Sequence, residues 1–138
     1  MKVVIDTMIW VSVSLSPRGF RSQLIDDLVS RRIRIYSSEY ILNELVKTLT
    51  VHLGESKAFA NDSRFAVARR TTLVALPPRI PRFVPGDPKD DAVVQTAVSA
   101  KADYLVTADK EILKLKKVRS VQIVSPNAFA FVLGASPK

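Results

Sequence analysis

The feature that most constrains this chain is a succession of short, continuous apolar runs separated by segments of helical periodicity. Lys2 to Ile5, Ile33 to Tyr36, Leu73 to Leu76, Asp103 to Thr107 and Val121 to Val124 read as strands. Between the first two, Phe20, Leu24, Ile25, Leu28 and Val29 recur at helical spacing, with Pro17 and Gly19 just ahead of them. Strands that are apolar throughout, alternating with helices, imply a parallel sheet covered on both faces. The expected class is therefore α/β, in one domain spanning residues 1–138 with its core over about 2–133. No repeat or low-complexity tract suggests a second core, and 138 residues leave no room for one.

Helix boundaries follow from capping chemistry. Ser38 is a plausible N-cap for a helix whose stripe is Ile41, Leu42, Leu45, Val46 and Leu49. Glu55 to Arg70 reads as a further, charge-rich helix, and the prolines between Pro77 and Pro88 indicate a loop. Asp87, Pro88 and Asp90 form the best helix start in the chain: a cap, a proline at the first helical position, and an acid three residues after the cap. That helix is expected to run to about Ala100. A short helix over Asp109 to Leu115 and a final one from Ser125 or Pro126 to about Val132 complete the pattern.

Charge narrows the partners. Lys and Arg total 21 against 13 Asp and Glu, a formal charge of +8. Nucleic acid, an acidic membrane surface or an acidic protein all suit that excess. The absence of cysteine excludes disulfides, thiolate metal sites and thiol nucleophiles, and His52 is the one imidazole. A metal ion would therefore need oxygen ligands, which points to a hard cation such as Mg²⁺ or Mn²⁺. The first residues lack the pattern of a signal peptide, and no uninterrupted apolar stretch is long enough for a membrane span, so the expected location is the cytoplasm.

In an open parallel sheet, ligands bind beyond the carboxyl ends of the strands. Asp6 directly follows the first strand and Asp109 closely follows the fourth. Glu44 falls just outside the apolar stripe of its helix, and Asp91 lies in the first turn of the helix that Asp87 caps. Four carboxylates from distant parts of the chain are thus expected to meet at one rim. Such a cluster needs cations to remain ionised. A divalent ion held there suits phosphodiester hydrolysis, with the basic exterior drawing in nucleic acid.

The segments Val3-Val4-Ile5-Asp6-Thr7, Ile41-Leu42-Asn43-Glu44-Leu45, Asp87-Pro88-Lys89-Asp90-Asp91 and Ala102-Asp103-Tyr104-Leu105-Val106-Thr107-Ala108-Asp109 resemble the successive acidic motifs of PIN domains. The likeness is strongest to the PIN-family toxins of prokaryotic toxin–antitoxin pairs, and covers Lys2 to about Phe131. The resemblance implies a parallel sheet with flanking helices, dependence on Mg²⁺ or Mn²⁺, endonucleolytic cleavage of RNA, an antitoxin partner and a homodimer. By position, Asp6, Glu44, Asp91 and Asp109 match the four acids of the family, as metal ligands and catalytic residues, with Asp90 in reserve. Many members have Asn where this chain has Met8 and Gly where it has Ala108.

Each feature also has a plainer reading. Asp6 can end a strand, Glu44 can be a solvated helix residue, and Asp109 can simply cap the helix after it. Arg31, Arg32 and Arg34, like Lys110, Lys114, Lys116, Lys117 and Arg119, read first as solvated faces. Trp10 and Phe20 read as core or interface, not as base-stacking platforms. Thr7 and Thr107 either orient a carboxylate or a metal-bound water, or are merely polar strand ends. A phosphatase with a second Asp two residues after the first is disfavoured by Met8, and a phosphate-accepting receiver domain by the lack of an acid near Leu73 to Leu76. The alternative to a ribonuclease is a PIN-fold module that binds RNA or a partner without cutting.

Overall fold

The computed structural model describes residues 1–135. Strand β1 (Lys2–Ile5) leads into helices α1 (Thr7–Leu15) and α2 (Phe20–Ser30), then β2 (Arg34–Ser37). Helix α3 (Glu39–Lys47) continues as a π-helical segment (Thr48–His52), followed by α4 (Lys57–Arg70) and the two-residue β3 (Thr72–Leu73). After the proline-rich loop come α5 (Pro88–Ser99), β4 (Tyr104–Val106), α6 (Lys110–Leu113), β5 (Lys117–Val118), β6 (Val121–Val124) and α7 (Pro126–Ala135).

The strands form one sheet in the order β3-β2-β1-β4-β6-β5. Neighbours run parallel from β3 to β6, with Val3 opposite both Ile35 and Tyr104 and Leu105 opposite Ile123. The fold is the expected α/β arrangement, a mostly parallel sheet with helices on both faces. The exception to parallel pairing is β5, which returns antiparallel against β6 as the edge strand. Val3, Val4, Ile5, Leu105 and Val106 are fully buried, as continuous apolar strands in a covered sheet must be.

Three local differences from the sequence reading have physical causes. Helix α1 was not expected because Ile9, Trp10, Val11 and Val13 give no single apolar stripe; a helix apolar nearly all round is a buried one, and Ile9 and Trp10 are wholly enclosed. Its β-branched content disfavours an isolated helix, so packing decides the conformation here. Strand β3 stops at Leu73 because the chain leaves the sheet before Pro77. Third, Lys117–Val118 is too short for its strand to show as a run.

The caps largely follow expectation. Ser38 Oγ accepts from Ile41 N, and Asp87 Oδ1 accepts from Lys89 N at 3.0 Å with Pro88 at the first helical position. Gly86 has φ of 81°, a left-handed turn that a side chain would strain, and it delivers the chain into that cap. Ser38 Oγ also shares a buried 2.9 Å bond with Thr96 Oγ1, which ties the start of α3 to the middle of α5. Among the described residues, no helix is long and apolar enough to cross a membrane.

Candidate metal centre

The chain runs outward from β1 through β2 to β3, then returns past β1 to β4. The direction therefore reverses between β1 and β4, the point where an open α/β sheet leaves a crevice at its carboxyl rim. Asp6 follows β1 there and Asp109 follows β4 by three residues. A hollow of about 150 Å³ opens at this rim. Its lining includes Asp6 and Asp109, Tyr40 and Glu44 from α3, and Asp87, Lys89 and Asp90 from the start of α5. Five carboxyl-bearing residues thus surround one space in a protein of positive net charge.

Asp6 is nearly enclosed, with 6% of its surface exposed. Its Oδ2 accepts a 2.6 Å hydrogen bond from Thr107 Oγ1, and the same hydroxyl oxygen accepts from Asp109 N at 3.0 Å. Thr107, itself fully buried, is therefore the bracket between the two acids. Burial raises the pKa of Asp6; the Thr107 bond opposes that shift, and the charge of Asp109 adds to it. Asp109 Oδ1 accepts from Glu111 N and Ile112 N, so one oxygen caps α6 while the carboxylate still borders the hollow.

Asp90 and Asp91 divide differently from the sequence reading. Only one of the two borders the hollow. It is Asp90. Its Oδ2 is buried and accepts no hydrogen bond, and its pKa is pushed up to about 7, chiefly by burial, then by the charges of Asp109, Asp87 and Asp6, and last by a side-chain hydrogen bond to Asp87 that favours the protonated form. Asp91 is absent from the lining. Its Oδ1 accepts from Phe83 N at 2.8 Å and Val84 N at 2.7 Å, and its Oδ2 pairs with Arg82 Nε at 2.9 Å. Asp91 thus fastens the proline-rich loop onto α5.

Tyr40 escaped the sequence reading, although its spacing of four from Glu44 puts both on one face of α3. Its hydroxyl donates to the carbonyl of Lys89 at 3.2 Å. Burial and the surrounding carboxylates, Glu44 first among them, push its pKa up to about 12, so it stays protonated. Met8 also borders the hollow, as does Thr48 in the π-helical segment. His52 is exposed and outside it.

The donor set suits a hard divalent cation: oxygen ligands only, a buried carboxylate oxygen that accepts no hydrogen bond, and acids whose ionisation their neighbours oppose. Among the described residues, no three Asp, Glu or His side chains are drawn close enough to hold an ion as they stand.

Residues 2–111 match the family model of the PIN domain, and the chain belongs to that family. A curated relative, the uncharacterized protein MJ1680 of Methanocaldococcus jannaschii, is 27% identical over 96% of this chain and 90% of its own length. Two solved structures are similar in fold. That of VapBC2 from Rickettsia felis bound to a DNA fragment from their promoter matches with a TM-score of 0.66 at 15% identity, over 91% of this chain and 98% of that one. VapBC-1 from nontypeable Haemophilus influenzae matches with a TM-score of 0.64 at 17% identity, over 92% and 99%.

Proposed function

We propose that this protein is a metal-dependent endoribonuclease, with Asp6, Glu44, Asp90 and Asp109 as the ligands of Mg²⁺ or Mn²⁺. The observation that carries the reading is the convergence of these acids, from four separate elements, on one hollow at the sheet's carboxyl rim. A divalent ion bound there would supply Lewis acidity to a phosphodiester and lower the pKa of a water molecule. The residues themselves perform the positioning. Thr107 fixes Asp6 relative to Asp109, and the Ser38–Thr96 bond fixes α3, carrying Glu44, relative to α5, carrying Asp90. Protonated Tyr40 adds a neutral wall to the acidic space.

The purified protein, incubated with mixed RNA and Mn²⁺, is expected to cut, and chelator to stop it. Asp6→Asn is expected to abolish cutting without loss of fold, because the amide oxygen can still accept from Thr107. Undiminished cleavage by that variant would assign the activity to a contaminant or another site. A second reading, a non-cutting PIN module that binds RNA or a partner, is favoured by the spacing of the acids, none of which form a closed set. Binding of RNA without any metal-dependent cleavage would establish that reading instead. The VapBC likenesses support a toxin role with an antitoxin partner, and a seat for that partner over the hollow is our own further expectation. Co-purification with the product of a neighbouring gene, and suppression of cleavage by it, is the corresponding test. A homodimer is part of the same proposal and is decided by light scattering.

A further inference from the structure

Among the described residues three arginines are half-buried, Arg21, Arg31 and Arg64, and two of them are already occupied. Arg31 binds Asp27 and the carbonyl of Leu133, and Arg64 binds Glu39 and Asn43, while the exposed Arg82 binds Asp91. Arg21, half-buried at the start of α2, differs. Its Nη1 donates to the neutral Ser12 Oγ at 2.8 Å, and among the described residues it makes no ion pair. A guanidinium has five N–H donors in a planar fork, so most of its capacity for an anion is unused.

Its surroundings lead from the acidic hollow. Met8 borders that hollow, Ser12 follows it four residues on along the same face of α1, and Ser16 is the residue that ends the helix. The interval from Met8 to Ser12 is about 6 Å of helix rise, of the order of one nucleotide step. Ser12, Ser16, Gly19, Phe20 and Arg21 line a second hollow of about 260 Å³. Phe20 is 49% exposed at its edge. A cation, two hydroxyls and an open aromatic ring beside an acidic pocket match the backbone and base of a single strand. Met8 at the first hollow and Ser12 at the second stand about one turn apart on α1, so the two sites are adjacent.

We propose that Arg21, with Ser12, Ser16 and Phe20, forms a subsite for the phosphate and base of single-stranded RNA next to the bond presented at the acidic hollow. This rests on the ribonuclease reading. The plain alternative is that Arg21 serves only as a counter-ion for Asp6.

The test is fluorescence anisotropy with a fluorescein-labelled single-stranded RNA of mixed sequence, in chelator so that nothing is cut, at several salt concentrations. Loss of one phosphate contact lowers the slope of log affinity against log salt by about 0.7 for a single strand. Arg21→Gln is expected to show that decrease, and Arg21→Lys to retain the wild-type slope. Phe20→Ala is expected to weaken binding roughly tenfold at unchanged slope. Lys101→Gln removes the same charge at an exposed position just before β4, at the opposite end of the strands, and is expected to leave the slope alone. An Arg21→Gln slope equal to wild type, with RNA still bound, overturns the subsite and leaves the nuclease reading standing. Wild-type protein that neither binds nor cuts RNA overturns both.

Discussion

Asp90 and Asp91 are adjacent in sequence, and their environments assign opposite outcomes to the same substitution. Asp91→Ala removes the acceptor of two backbone N–H groups, of which Val84 N is buried and Phe83 N partly so. Leaving such donors unsatisfied costs about 1–3 kcal/mol each. Arg82 is 63% exposed, so loss of its ion pair adds little. The sum is about 2–6 kcal/mol, which for a domain of this size lowers Tm by roughly 6–24 °C. Asp91→Asn keeps an oxygen that accepts both N–H groups and loses only the charge assistance, about 1 kcal/mol.

Asp90→Asn instead removes a carboxylate whose buried oxygen accepts no hydrogen bond and whose charge Asp109, Asp87 and Asp6 oppose. Solvent around this half-buried group reduces the gain to the order of 1 kcal/mol, so in chelator the variant is expected to melt slightly above wild type. Thermal unfolding by circular dichroism at pH 8 measures both effects, and RNA cleavage with Mn²⁺ supplies the second axis. Asp90→Asn is expected to be stable and inactive, Asp91→Asn slightly less stable and active. An inactive but fully stable Asp91→Asn beside an active Asp90→Asn would refute the assignment drawn from the hydrogen bonds.

Three further outcomes follow from the same geometry. Thr107→Val loses both the 2.6 Å bond to Asp6 and the acceptor for Asp109 N, a cost of about 2–4 kcal/mol; Thr107→Ser retains both, and chemical denaturation of the two variants distinguishes them. In chelator, stability is expected to fall as pH rises from about 4 toward 7: the unfolded Asp90 loses its proton near 4, while the folded one keeps it to about 7, so the native state binds more protons across that window, and raised Asp6 acts in the same direction. Unfolding curves across that range that are flat or rising would refute it. Mg²⁺ or Mn²⁺ at a hundred times its Kd is expected to stabilise the wild type by about 2.7 kcal/mol and the Asp90→Asn variant by much less, read as a shift in Tm.

The sequence made the strand ends visible because buried parallel strands are continuous apolar runs, and the first polar residue after each marks the rim. Asp6 could be placed in that way, as could the caps Ser38, Asp87 and Asp109, whose side chains bond the backbone locally. Helix α1 could not, since a helix enclosed on most sides has no periodic stripe to detect. Nor could periodicity choose between Asp90 and Asp91. That choice depends on the loop at Phe83 and Val84, whose N–H groups claim Asp91 through contacts seven and eight residues back along the chain. Tyr40 was hidden for a related reason: a tyrosine in a helix is ordinarily read as packing, and only its distance of four from Glu44 associates it with the acids.

The distribution of charge carries a last consequence. Of 13 acidic residues, five border one hollow, while the chain as a whole carries +8. A polyanion is therefore attracted by the protein's exterior and repelled at the one place where the proposed cleavage occurs, unless cations offset those carboxylates. Affinity for RNA should consequently separate into a part that survives chelation, supplied by basic residues such as Arg21, and a part that needs the metal. Adding Ca²⁺, which suits oxygen ligands, to chelator-treated protein is expected to tighten RNA binding in the wild type, and to do so far less once Asp90 is asparagine. Equal tightening in both proteins would mean that the ion bridges RNA to the surface elsewhere, and that the acidic hollow takes no part in holding substrate.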